Sequence, residues 1–164
     1  MPSAFNIDAV WRLQAASSGL TIATTAYTSG DVLGTEITFQ VADSGQGSTG
    51  FTSGTLLGAT VTDAAGVTAQ IDLFLFDGPS TPAADNSPAT WTGPNMKKLI
   101  TVIPCSTLYA PASGARAATW PLSEEIAYVA PNGTVSVVCV TRSANAVFTA
   151  ATDLTVSLFI EPDR

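Results

Sequence analysis

Few residues of this chain have side chains suited to chemistry, and those few are scattered. Thirteen carboxylates stand against six cations, and there is no histidine. Carboxylate catalysis needs two acidic groups facing one another across a cleft. Here the sequence offers the adjacent Glu124-Glu125 and the near pair Glu161 and Asp163. Neighbours along a strand point to opposite faces, so Glu124-Glu125 is not a ready acid–base pair. Asp72 stands out because it interrupts the apolar run Ile71–Phe76; a satisfied polar or interface role is expected for it. Loop carboxylates such as Asp77 and Asp85 have the oxygen chemistry of a calcium site, but their spacing is not that of an EF-hand loop. Ser-His-Asp and Cys-His devices are excluded without histidine. Cys105 and Cys139 form no metal or redox motif and are expected as free, buried thiols. Gly45-Gln46-Gly47-Ser48-Thr49-Gly50 spells a dinucleotide fingerprint, yet Phe51-Thr52-Ser53-Gly54-Thr55 leads into another β-branched stretch and not into a helix. A turn between strands is the better expectation. No catalytic residue, no cofactor and no metal are therefore expected.

What surrounds these residues explains their scarcity. Charged residues make up 12 % of the chain, where soluble domains carry about 25 %. Polarity comes instead from 23 Thr and 15 Ser. A formal net charge of −7, with Lys97-Lys98 the one adjacent basic pair, argues against a nucleic-acid partner and against an anionic membrane. Apolar runs are short: Ile71–Phe76 is broken by Asp72 and Thr155–Ile160 by Ser157, and neither approaches the length of a spanning helix. Met1-Pro2-Ser3-Ala4-Phe5-Asn6-Ile7-Asp8 has no basic segment followed by an apolar one, so synthesis in a cytoplasm is expected.

Alternation of period two dominates. Leu20, Ile22 and Tyr27 mark a first extended segment, followed by Glu36–Val41, Thr55–Asp63 and Thr68–Phe76. In Thr55–Asp63 the pattern assigns Leu57, Ala59 and Val61 to one face. Thr68–Phe76 is apolar on both faces, with Ile71, Leu73 and Leu75 opposite Phe74 and Phe76, and should be central. Lys98–Ile103 should end at Pro104, which cannot donate to a ladder. Glu125–Ala130 and Thr134–Thr141 flank Pro131-Asn132-Gly133, a good hairpin turn. Ala146–Thr149 reads as a short edge piece, and Leu154, Val156, Leu158 and Ile160 give the clearest alternation. These features predict an all-β chain: an antiparallel β-sandwich, jelly-roll-like, or a flattened barrel of eight or nine short strands with long loops. Residues 1–17 are expected as an N-terminal arm or short helix, and residues 18–164 as a single domain. Residues 77–97 and 104–123 resist strand assignment, with one helical turn expected around Asn95–Lys98. Long loops of this kind usually bind something. Trp11, Trp91, Tyr109 and Trp120 lie in these irregular stretches and are the candidate interface residues, since aromatics anchor protein contacts. Carbohydrate stacking is the alternative use for them.

A likeness runs through several fragments in order. Ala26-Tyr27-Thr28-Ser29-Gly30-Asp31-Val32-Leu33-Gly34 precedes Glu36–Val41; then come Gly54-Thr55-Leu56-Leu57, Val61-Thr62-Asp63 and Ile71-Asp72-Leu73-Phe74-Leu75-Phe76-Asp77. This set resembles small structural proteins of tailed bacteriophages, capsid decoration or cement proteins among them, over residues 20–110 and again at Thr155–Glu161. The resemblance implies a β-rich accessory protein on the virion surface that binds the major capsid protein and itself, as a trimer around three-fold positions. It brings no catalytic residues. A tail or neck component, or a carbohydrate-binding sandwich module, are the alternatives.

Overall fold

The computed structural model describes residues 11–15, 20–41, 53–67, 69–106 and 116–163, with backbone alone at 11–15, 116–124 and 162. Eight strands and one helical turn follow one another: β1 Trp11–Ala15, β2 Val32–Gln40, β3 Ser53–Asp63, β4 Ile71–Phe76, α1 Gly93–Met96, β5 Leu99–Cys105, β6 Arg116–Val129, β7 Thr134–Thr141 and β8 Leu154–Pro162.

The strands pair from the outside inward. β1 lies antiparallel to β8, β2 to β7, β3 to β6 and β4 to β5. Two further antiparallel pairings, β3 with β8 and β4 with β7, join these ribbons. The result is two four-stranded sheets, ordered β1-β8-β3-β6 and β2-β7-β4-β5. A nested antiparallel ribbon rolled onto itself in this way is the jelly roll, an all-β sandwich and not a closed barrel. Its core lies between the sheets: Leu56, Ala59, Val61, Val156, Leu158 and Ile160 face Ile37, Leu73, Leu75, Ile103, Val137 and Cys139, all buried in one cluster. β4 has a strand on each side, as its two-faced apolar pattern requires.

Several local expectations are corrected. Trp11–Ala15, expected in an arm or short helix, is a strand whose Trp11 pairs with Ile160. Pro104 does not end β5; it sits at a register position opposite Asp72. β5 is an edge strand, the position in a sheet where proline is tolerated because one side of the strand needs no donors. Pro121 is likewise inside edge strand β6, where the pairing shifts register between Leu56 and Gly58. The same shift on the β8 side gives β3 one residue more than its partner. This bulge reverses the alternation, so that Leu56 enters the core instead of the expected Leu57. β2 begins at Val32, earlier than the expected Glu36. The Leu20–Tyr27 and Ala146–Thr149 segments are joined by an isolated bridge, Tyr27 to Ala146, instead of a ladder, and the Tyr27 ring packs against Phe148. The helical turn lies at Gly93–Met96, slightly before the expected Asn95–Lys98.

Candidate functional site

The feature that the alternation of β4 demands is a cover on its second face. Val32, Phe76, Val138 and Val140 form a separate buried cluster, with Phe74, Ala83, Ala89, Trp91 and Leu99 packed against it. Val137 and Cys139 point into the main core while Val138 and Val140 do not, so this second cluster lies on the outer face of the β2-β7-β4-β5 sheet. Residues 77–97, between β4 and β5, form a strap across that face. Trp91 is its anchor: the indole lies with its centroid 4.9 Å from that of Phe74 and 5.7 Å from that of Phe76, both tilted contacts. Aromatic pairs at such distances add to plain burial.

Hydrogen bonds fix the strap at its base, at its far rim and between the two. At its base the Asp77 N–H donates to the Lys98 carbonyl at 2.9 Å, and Lys98 Nζ donates to the Pro79 carbonyl at 2.6 Å. At the far rim, Val32 N–H donates to Ser87 (2.9 Å), Asn86 N–H to Val32 (2.9 Å) and Ala89 N–H to Gly30 (2.8 Å). Asp85 latches this end. Its Oδ1 accepts from the Tyr27 hydroxyl at 2.7 Å and from the Gly34 N–H at 2.7 Å. The same hydroxyl accepts from the Ala23 N–H at 2.6 Å. Burial, then the bond to Asp85 and the neighbouring carboxylates, raise the Tyr27 pKa well above the ordinary phenol range. Tyr27 is therefore a neutral donor at any physiological pH. Between base and rim, the Ser80 N–H donates to Glu36 Oε1 at 2.6 Å.

The other acidic groups serve the fold. Asp72 is mostly buried and accepts from Arg142 Nε at 2.5 Å, in keeping with a satisfied polar role. Asp63 ends β3 and accepts from the Ala65 N–H at 2.9 Å, closing the turn that follows. Burial raises its pKa, and the charge of Asp153 adds to the effect. Burial also acts on Asp153, but hydrogen bonds from Ala150 and Thr149 outweigh it and hold that carboxyl below its usual value. Among the described residues no three metal-ligating side chains come together. Asp77 and Asp85, considered for calcium, sit at opposite ends of the strap. Cys105 and Cys139 are free and buried; burial pushes the Cys139 thiol up to about 12 and Cys105 higher still, so both remain unreactive thiols. A cavity between the sheets, lined by Leu56, Leu75, Ile100 and Tyr128 among others, has about 10 Å³ of internal space, room for about one water molecule at most.

The three aromatic candidates among the described residues do not gather. Trp11 is on β1 and Trp120 on β6, the opposite edges of one sheet; Trp91 lies over the other sheet; Tyr109 lies outside the described residues. Sequence reasoning missed the latch of Tyr27 and Asp85, which are far apart along the chain. The Asp85-Asn86 dipeptide signals only a turn. Comparison of the chain with protein-family models and with curated proteins returns no match.

Proposed function

We propose that this chain is a structural accessory protein of a bacteriophage virion. It binds the major capsid protein on the outer surface of the capsid, associates with itself as a trimer, and performs no catalysis. It is made in the host cytoplasm and resides on the particle. The observation that carries this reading is the nested strand order β1-β8-β3-β6 over β2-β7-β4-β5, an architecture shared by capsid and lectin domains. The ordered likeness at residues 20–110 supports the phage reading over the lectin one. A chain with only 12 % charged residues and abundant Ser and Thr supports it, because uncharged faces are cheaper to desolvate in repeated contacts. The lectin branch calls for aromatic rings presented to solvent, whereas the Trp91 ring is stacked on Phe74 and Phe76.

The test is to mix the purified protein with undecorated phage capsids and image the particles. Saturable occupancy at defined lattice positions is expected, with a trimeric mass for the free protein. Binding to isolated tails alone, or to glycans and no particle, overturns the assignment.

A further inference from the structure

We propose that the strap of residues 77–97 is a hinged cover, which opens as one unit about its base while the jelly roll stays folded. The inference is independent of the virion reading. Three observations carry it. First, the strap leaves and rejoins the sheet at one place. The Asp77–Lys98 and Lys98–Pro79 hydrogen bonds, 2.9 and 2.6 Å, close its base onto the β4–β5 pair, so the strap can lift without parting these strands.

Second, its backbone bonds to the body are concentrated at the opposite rim. They join Gly30 and Val32 to Asn86, Ser87 and Ala89, beside the Asp85 latch. This row of bonds, together with Ala83, Ala89 and Trp91 packed on the sheet, holds the cover shut. Third, the seam between strap and sheet is poorly satisfied. Of the buried side-chain polar atoms without a hydrogen-bond partner among the described residues, Ser80 Oγ, Trp91 Nε1 and Ser136 Oγ lie on the strap side. Ser136 shows this by its register opposite Phe76, whose ring adjoins Trp91. Ser80 belongs to the strap itself, tied to Glu36. Native cores rarely leave such atoms unpaired. An opening strap gives each of them water, which lowers the free-energy difference between closed and open forms relative to global unfolding. Once open, the sheet presents Val32, Phe74, Phe76, Val138 and Val140 as a continuous apolar face.

Hydrogen exchange of the full chain, read residue by residue at rising denaturant, tests this. The Val32, Asn86 and Ala89 amides are expected to share one opening equilibrium whose denaturant dependence is measurable, because the apolar face is exposed, but smaller than that of global unfolding. They should exchange at least about tenfold faster than amides of the β4–β7 ladder. The Asp77 amide, at the hinge, should stay with the slow ladder. Asp85→Ala should accelerate the three rim amides by a further tenfold or so and leave β3–β8 amides unchanged. Rim amides that exchange together with the β4–β7 ladder would show that strap and sandwich open as one. Rim amides that exchange each at its own rate would show fraying and no unit. Either result overturns the proposal, and both are readable in the unmutated protein if the variant fails to fold.

Discussion

Replacing Tyr27 by Phe tests whether the latch contributes to stability beyond packing. The ring is 1 % exposed and meets Phe148 edge-on at 5.9 Å between centroids; the substitution keeps that packing. It removes a hydroxyl that accepts from the Ala23 N–H and donates to the Asp85 carboxylate, at 2.6 and 2.7 Å. A hydrogen bond to a charged group is worth about 1.5–3 kcal/mol, and a stranded backbone donor costs about 1–3 kcal/mol. Ala23 and Asp85 are only half-buried, so water recovers part of both losses, and a net cost of about 2 kcal/mol is expected. For a domain of this size that corresponds to a fall in Tm of about 4–8 °C. Urea unfolding of wild type, Tyr27→Phe, Asp85→Asn and the double variant measures it. The cycle should return a coupling of about 1 kcal/mol between the two residues. A single-variant loss below about 0.5 kcal/mol, within the range of an ordinary surface change, would refute the assignment of the latch, and additive single effects would show that the two groups act separately.

Two glycines and one carboxyl pair give further predictions. Gly34 has φ +73°, and a Cβ there would stand 3.1 Å from Leu20 Cγ and 3.2 Å from Ile22 Cγ2, whereas Gly30 at φ +97° has open space around it. Gly30→Ala should therefore cost about 1–2 kcal/mol of left-handed strain alone, and Gly34→Ala at least about 1 kcal/mol more from overpacking, as read by chemical denaturation. Equal losses would refute the steric argument. Asp63 has a folded-state pKa above its unfolded value, so the folded chain holds that proton more tightly. Its contribution is favourable at low pH and is lost as pH rises through the raised folded value. Asp153, with a lowered pKa, acts in the opposite sense: its contribution is present above the ordinary carboxylate value and is lost as pH falls through the lowered one. As pH falls from neutral toward the ordinary carboxylate value of about 3.9, wild type should gain Tm relative to Asp63→Asn; parallel curves over that whole range would show that Asp63 has no raised pKa.

The sandwich was legible in the chain because its central strands obey simple alternation. β8 and β7 each bury alternate residues against the opposite sheet, and turns such as Pro131-Asn132-Gly133 separate them; the Gly133 N–H closes that turn on the Ala130 carbonyl at 2.7 Å. The edges were not legible. Pro104 and Pro121 look like strand breakers, and whether a proline breaks a strand depends on which side of the strand carries a partner. That is a property of the topology and not of the local sequence. Leu57 was misassigned for a related reason: the bulge that expels it belongs to the pairing of β3 with both of its neighbours. The nesting of strand with strand is equally non-local, since any of several pairings would bury the same alternating faces.

The strap links the legible part to the illegible part. Phe74 and Phe76 on the second face of β4 require a cover, and sequence alone states that requirement without naming what meets it. In a parallel α/β sheet a helical layer would do so. Here residues 77–97, which look like unstructured loop by composition, supply Ala83, Ala89 and Trp91. Apart from the helical turn α1, their backbone groups find partners at the rim of β2 and not in a ladder of their own. A segment held in this way derives its order from the body it rests on. That is why proline and small polar residues suffice to build it, and why Trp91, the one large side chain among those three, lies against the two phenylalanines.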